Sequence, residues 1–207
     1  MPGAGVSDCD WSIGSGKVRG TLRSCERKHG VGAVFVLYIA FALLAWTGPI
    51  ACGNGVLTWP AVKSAVRMNY PAVKHLTTSE LATWIQSDST PVPIMLDARA
   101  PEEYNVSHIR GAVLAPRLSD ALGALAGVEK DHPIVVYCSV GHRSGALAEE
   151  LLGKRYTNVY NLEGSIFQWA NEDRPVFAGG IRVYQVHPYD HKWSELLDRR
   201  FWPESFE

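Results

Sequence analysis

The apolar residues of the chain fall into three different patterns. Residues 31–52 (VGAVFVLYIAFALLAWTGPIAC) are apolar on every side and carry no charge, and the uncharged stretch runs on to Lys63. As a helix rising about 1.5 Å per residue, this segment would span about 33 Å, close to the roughly 30 Å hydrocarbon core of a bilayer. It lies outside the region of mixed periodicity that follows, so it reads as a membrane-inserted helix rather than a core helix. Residues 1–30, rich in Gly, Ser and basic side chains and without apolar periodicity, read as a disordered tail. Residues 53–71 read as a linker, with Gly53, Gly55, Pro60 and Pro71 as breakers.

From about Ala72 onward, short apolar runs alternate with helical periodicities. Thr77-Thr78-Ser79-Glu80 has the form of a capping box, with Leu81, Trp84 and Ile85 on one helical face behind it. Residues 93–98 (PIMLDA), 133–137 (PIVVY) and 158–162 (NVYNL) predict buried strands. Residues 118–128, 144–155 (Leu147, Leu151 and Leu152 inward) and 165–171 predict helices. Strands separated by helices of this length imply an α/β fold, a parallel sheet covered on both faces. Beyond it, Gly179-Gly180 marks a break, residues 181–186 predict an added edge strand, and residues 192–201 a helix turning Trp193, Leu196 and Leu197 inward. The predicted organisation is therefore a tail (1–30), a membrane segment (31–52), a linker (53–71), a domain (72–178) and a C-terminal extension (179–207).

Composition narrows the function. A net charge of −1 on 207 residues, with no basic stripe, gives no reason to expect a nucleic-acid partner. The four cysteines, Cys9, Cys25, Cys52 and Cys138, are scattered without a CxxC pair, which predicts neither a metal site nor a disulfide framework. The apolar segment can be a retained anchor or a signal: Lys17, Arg19, Arg23, Arg27 and Lys28 precede it, and Pro49-Ile50-Ala51-Cys52 resembles a lipoprotein signal with Cys52 as the lipidated residue. Either way, the domain is expected to be membrane-anchored or exported, with the extracytoplasmic side favoured and a cytoplasm-facing domain left open.

The candidate chemistry lies in Cys138-Ser139-Val140-Gly141-His142-Arg143-Ser144, between the strand PIVVY and a helix. In open α/β sheets, ligands bind outside the carboxyl ends of the strands. A tight strand-to-helix turn there gathers backbone N–H groups into an anion-favouring concavity, helped by the helix N-terminus, and Gly141 supplies the backbone freedom such a turn needs. A free thiol with a pKa of about 8.5 is mostly protonated at neutral pH, and a downward shift of about two units, roughly 2.7 kcal/mol, makes the nucleophilic thiolate dominant. Ser139 and Val140 are expected to act through their amides, Arg143 to position an anion, cap the helix or pair with Asp97, and His142 to be an exposed loop residue. A lone cysteine at a strand end is more often a small core residue, but the glycine, arginine and helix that follow argue against that here. A metal site built from His108, His142 and Cys138 has no ligand spacing to support it.

The loop resembles that of the rhodanese family, C-x-x-G-x-R-[ST], which CSVGHRS fits at each fixed position. The likeness extends upstream to Leu96-Asp97-Ala98-Arg99, Glu102-Glu103-Tyr104 and residues 107–112, and downstream to residues 158–164 and Trp169. It departs at Ser165, where a second glycine is frequent, and at Arg110, where proline is common, neither of them expected to touch the loop. The resemblance implies a three-layer fold with a central, mostly parallel five-stranded sheet. It also implies a sulfurtransferase that moves sulfane sulfur from thiosulfate or a persulfide to a thiol or cyanide through a Cys138 persulfide, without a cofactor. Residues 139–144 would bind substrate, and Asp97, Arg99, Glu103 and His108 would brace the framework. Two other readings stay open: a cysteine phosphatase or arsenate reductase of the same fold, whose loop carries one more residue before its arginine, and a non-catalytic domain held at a membrane.

Overall fold

The structure is a computed structural model, and it describes residues 57–87 and 91–204. The predicted tail, the apolar segment 31–52, Cys52, Gly53 and Gly55 lie outside the described residues. Among the described residues, no helix is long and apolar enough to cross a membrane.

The first helix, α1 (Trp59–Asn69), overturns the linker reading of residues 53–71 across most of that stretch. Thr58 stands extended before it and Pro60 falls in its first turn, where a missing N–H is no loss because that group has no intrahelical partner anyway. Val62 and Val66, one turn apart, are buried in the main apolar cluster. Pro60 and Pro71 therefore bracket a docked helix rather than break up a linker.

Then follow β1 (Lys74–Leu76), α2 (Thr78–Ile85), β2 (Ile94–Asp97), α3 (Pro101–Val106), β3 (Val113–Leu114), α4 (Leu118–Ala124), β4 (Ile134–Tyr137), α5 (His142–Gly153), β5 (Val159–Leu162) and α6 (Ser165–Asn171). The expected capping box is present: Thr77 accepts from the Glu80 amide and Glu80 reaches back to the Thr77 N–H. The five strands lie in the order β1-β5-β4-β2-β3, and every pairing is parallel. β4 is central and wholly buried. Its side chains alternate, with Val135 and Tyr137 in one core layer and Ile134 and Val136 in the other, as the two-residue period of a strand requires. The α/β expectation, with helices on both faces of the sheet, matches this architecture.

The C-terminal region differs from its expectation. β6 (Val176–Ala178) and β7 (Ile181–Val183) form a separate antiparallel hairpin rather than extending the central sheet. Gly179 and Gly180 join them at φ +55 and +82, the left-handed pair that a two-residue hairpin turn matching strand twist requires. The predicted helix over 192–201 is instead two short 3-10 turns, Trp193–Leu196 and Arg199–Phe201, separated by an extended Leu197. Leu196, Leu197, Phe201 and Val186 are nevertheless buried in the main core, so the extension is part of the fold's packing.

Candidate active site

Cys138 follows β4 directly, and α5 begins only four residues later. Gly141 caps that helix at φ +114, a conformation that side chains resist. The turn directs the Gly141 N–H at the Cys138 sulfur, 3.1 Å away. The Ser144 hydroxyl stands 3.5 Å from the same sulfur and 2.7 Å from Asn161 Oδ1, so its proton is shared between them and the Gly141 N–H makes the shorter contact to the sulfur. The thiol is 1 % exposed and shares a core layer with Leu147 and Ala148. Burial is the largest single influence on it and opposes ionisation. The Arg143 charge, the hydroxyl and amide of Ser144 and the Gly141 amide together outweigh burial and hold the Cys138 thiol below its ordinary value.

The expected ring of loop amides around the sulfur is thus narrower than the sequence implied. The Cys138 N–H is turned away and donates to Ser165 Oγ at 3.1 Å, and Ser165 donates in turn to the Leu162 carbonyl at 3.0 Å. Ser165, expected to stand clear of the loop, holds its first residue. It does so at φ +49, in the region where glycine would be unstrained. Helix α6 continues the grip: the Ile166 and Phe167 amides donate to the carbonyls of Cys138 and Ser139. Asn161 closes the other side, with its Nδ2 donating to the Gly141 carbonyl at 2.9 Å. The second expected exception, Arg110, lies over the Phe177 ring at 4.0 Å.

Arg143 does not pair with Asp97. Its terminal nitrogens grip both oxygens of the buried Glu103 at 2.7 and 2.8 Å, and Nη2 also donates to Ser139 Oγ at 3.0 Å. Ser139 donates to Glu103 at 2.9 Å, so its side chain, and not only its amide, enters the site. Burial would raise the Glu103 carboxyl, but Arg143 and the Ala100 amide hold it below the usual carboxylate range. Asp97 instead forms a fully buried ion pair with Arg99 at 2.7 Å, beneath the Tyr137 ring. His142 is exposed, its Nδ1 3.4 Å from the Tyr70 hydroxyl and its ring edge-on to Tyr70.

A pocket of about 120 Å³ opens over the sulfur. Cys138, Ser139, Val140, His142 and Arg143 line it from the loop, and Tyr189 and Trp193 from the C-terminal extension. Among the described residues, no group of three or more His, Cys, Asp or Glu is placed to hold a metal ion. Asn161, Ser165, Tyr189 and Trp193 are the site residues whose part sequence reasoning missed, whereas Glu103, expected as a bracing residue, holds Arg143 and Ser139. The resemblance marked Glu103 as framework and Ser165 as a departure, but neither signal names the partner that the structure gives it.

A family model described as a rhodanese-like domain matches residues 77–172. The chain is 32 % identical over 101 residues to a probable adenylyltransferase/sulfurtransferase MoeZ of Mycobacterium tuberculosis, covering 48 % of this chain and 25 % of the relative. It is 35 % identical over 71 residues to the thiosulfate sulfurtransferase PspE of Escherichia coli, covering 33 % of this chain and 67 % of that protein. A tRNA uridine(34) hydroxylase of Staphylococcus carnosus is 31 % identical over 127 residues, covering 58 % of this chain and 38 % of the hydroxylase. The chain thus spans about a quarter of the length of the first relative and two thirds of the second. With the strand-to-helix cysteine loop, the parallel sheet and these matches together, the chain belongs to the rhodanese-like domain family.

Proposed function

We propose that this protein is a sulfurtransferase in which Cys138 carries sulfur as a persulfide. The Cys138 thiolate attacks the outer sulfur of a small anionic donor such as thiosulfate, the donor's S–S bond breaks, and sulfite leaves with the electron pair. A thiol or cyanide then attacks the outer sulfur of the Cys138 persulfide, and the electron pair of the breaking bond returns to Sγ. The observation that carries this reading is the Gly141 N–H aimed at Sγ from 3.1 Å, on a thiol held below its ordinary value despite burial. A nucleophile of this kind needs the anion to be the populated form. In this reading the loop from Ser139 to Ser144 binds the donor, with Arg143 supplying positive potential at its rim. Four residues separate Cys138 from Arg143, one fewer than in phosphatase loops, and Glu103 occupies the terminal nitrogens of Arg143. Both features favour a single sulfur over a tetrahedral phosphate. A tether at a membrane through residues 31–52, with the domain facing outward, belongs to the same proposal and rests on the apolar length of that segment.

The test is intact-mass measurement after thiosulfate treatment. The expected result is a gain of one sulfur atom that the Cys138→Ala variant does not show. Hydrolysis of an aryl phosphate without any sulfur gain would move the assignment to the phosphatase reading.

A further inference from the structure

The pocket over the sulfur is walled on one side by residues beyond the family match, which ends at residue 172. Tyr189 and Trp193 come from the C-terminal extension, and the extension is fastened to the same helix as the loop. Asn171, the last residue of α6, donates to the Leu196 carbonyl at 2.9 Å and accepts from the Asp198 amide at 2.9 Å. The first residues of that helix hold the carbonyls of Cys138 and Ser139. One short helix thus carries the loop at one end and the wall at the other.

The wall is also built at a conformational cost. Tyr189 stands at φ +69, where residues with a Cβ are disfavoured, and its N–H donates to His187 Nδ1 at 3.0 Å. This places the Tyr189 ring against the Arg143 guanidinium at 4.6 Å, within the range of a cation–π contact. Arg143 therefore has Glu103 on its terminal nitrogens and an aromatic ring on its face. Trp193 lines the pocket beside Tyr189, its backbone N–H donating to Asp190 Oδ1 at 2.8 Å. What is left over Cys138 is about 120 Å³, well short of the roughly 300–1,000 Å³ of pockets that take drug-sized ligands.

Resting on the sulfur-carrier reading above, we propose that Tyr189 and Trp193 are specificity-determining residues that admit small nucleophiles to the Cys138 persulfide and hold off peptide-sized thiols. Cyanide attacks the outer sulfur, the S–S bond breaks with its electron pair returning to Sγ, and thiocyanate leaves. A glutathione thiolate would follow the same balanced course to glutathione persulfide, but its flanking residues meet the two rings.

The full chain, loaded with sulfur from thiosulfate and freed of excess donor, is discharged with cyanide or with glutathione, and loss of the added sulfur is followed by intact mass. The quantity read is the ratio of the glutathione rate to the cyanide rate. Tyr189→Ala and Trp193→Ala are each expected to raise it roughly tenfold or more, the low end of what shape discrimination in an apolar pocket supplies. Tyr189→Phe keeps the ring and is expected to keep the wild-type ratio. Because Trp193 also packs against the core, Tyr189→Ala, at a residue 44 % exposed, decides the matter if the Trp193 variant unfolds. A ratio unchanged within about twofold in Tyr189→Ala overturns the inference while leaving the carrier reading intact. Failure of the wild-type chain to gain sulfur at all overturns both.

Discussion

At the scale of single residues, the site is a contest between burial and charge around one sulfur. Cys138 is taken from water, which alone would keep it protonated, and Arg143 is the first of the groups that reverse the balance. Removing that charge leaves burial with less opposition. Arg143→Ala is therefore expected to raise the Cys138 pKa, read as thiolate absorbance against pH with the Cys138→Ser chain subtracted. A thiol that titrates unchanged in Arg143→Ala would assign the effect to the hydrogen bonds from Ser144 and the Gly141 amide instead. Glu103 has the opposite role, as the buried anion that holds Arg143 in place. Its carboxyl lies lower in the folded protein than a free one, so on acidification the unfolded chain takes up this proton first. The stability that Glu103 contributes is present above the ordinary carboxylate pKa and is lost as pH falls from there through its depressed folded value. Urea midpoints over that acid window are expected to fall less steeply in Glu103→Gln than in the wild type, although the variant is less stable at neutral pH.

At the scale of elements, α1 is the clearest case of structure that local sequence signals hid. Gly and Pro around residues 53–71 are real breaking signals, but Pro60 sits where a helix tolerates it, and the Val62–Val66 spacing becomes legible only once there is a core to receive it. Val66→Ala is expected to cost about 1–3 kcal/mol, the range for truncating a buried aliphatic side chain. A true linker residue would change stability by less than about 0.5 kcal/mol, so chemical denaturation separates the two. The same helix runs into Tyr70, whose ring packs on His142 and so meets the first residue of α5. In the extension, the error ran the other way. The apolar residues Leu196 and Leu197 point inward as predicted, but they do so from 3-10 turns and an extended residue, because only a few positions need to reach the core.

At the scale of the whole molecule, the domain does not end where the family match ends. Val186, Leu196, Leu197 and Phe201 are all buried, each worth roughly 1.5–3 kcal/mol of burial, against a net stability of about 5–15 kcal/mol for a typical protein. A chain ending at Gly179 is therefore expected to lose its cooperative thermal transition or to show it far below that of the full chain. Thermal unfolding followed by circular dichroism checks this. A truncated chain as stable as the original would show that the extension merely lies on the surface.

Taken alone, the sequence determined the α/β class, the buried strand over residues 133–137, the helix-opening capping box at Thr77 and the placing of Cys138 at a strand-to-helix turn. These follow from local periodicity and from glycine and cap chemistry, which act between residues a few positions apart. Only the tertiary structure decided that Glu103 rather than Asp97 receives Arg143, that Asn161 and Ser165 hold the loop, that residues 59–69 dock as a helix and that Tyr189 and Trp193 wall the pocket. Each of those contacts joins residues far apart in sequence, where spacing carries no signal, and each is selected by which buried polar group or apolar face would otherwise lack a partner.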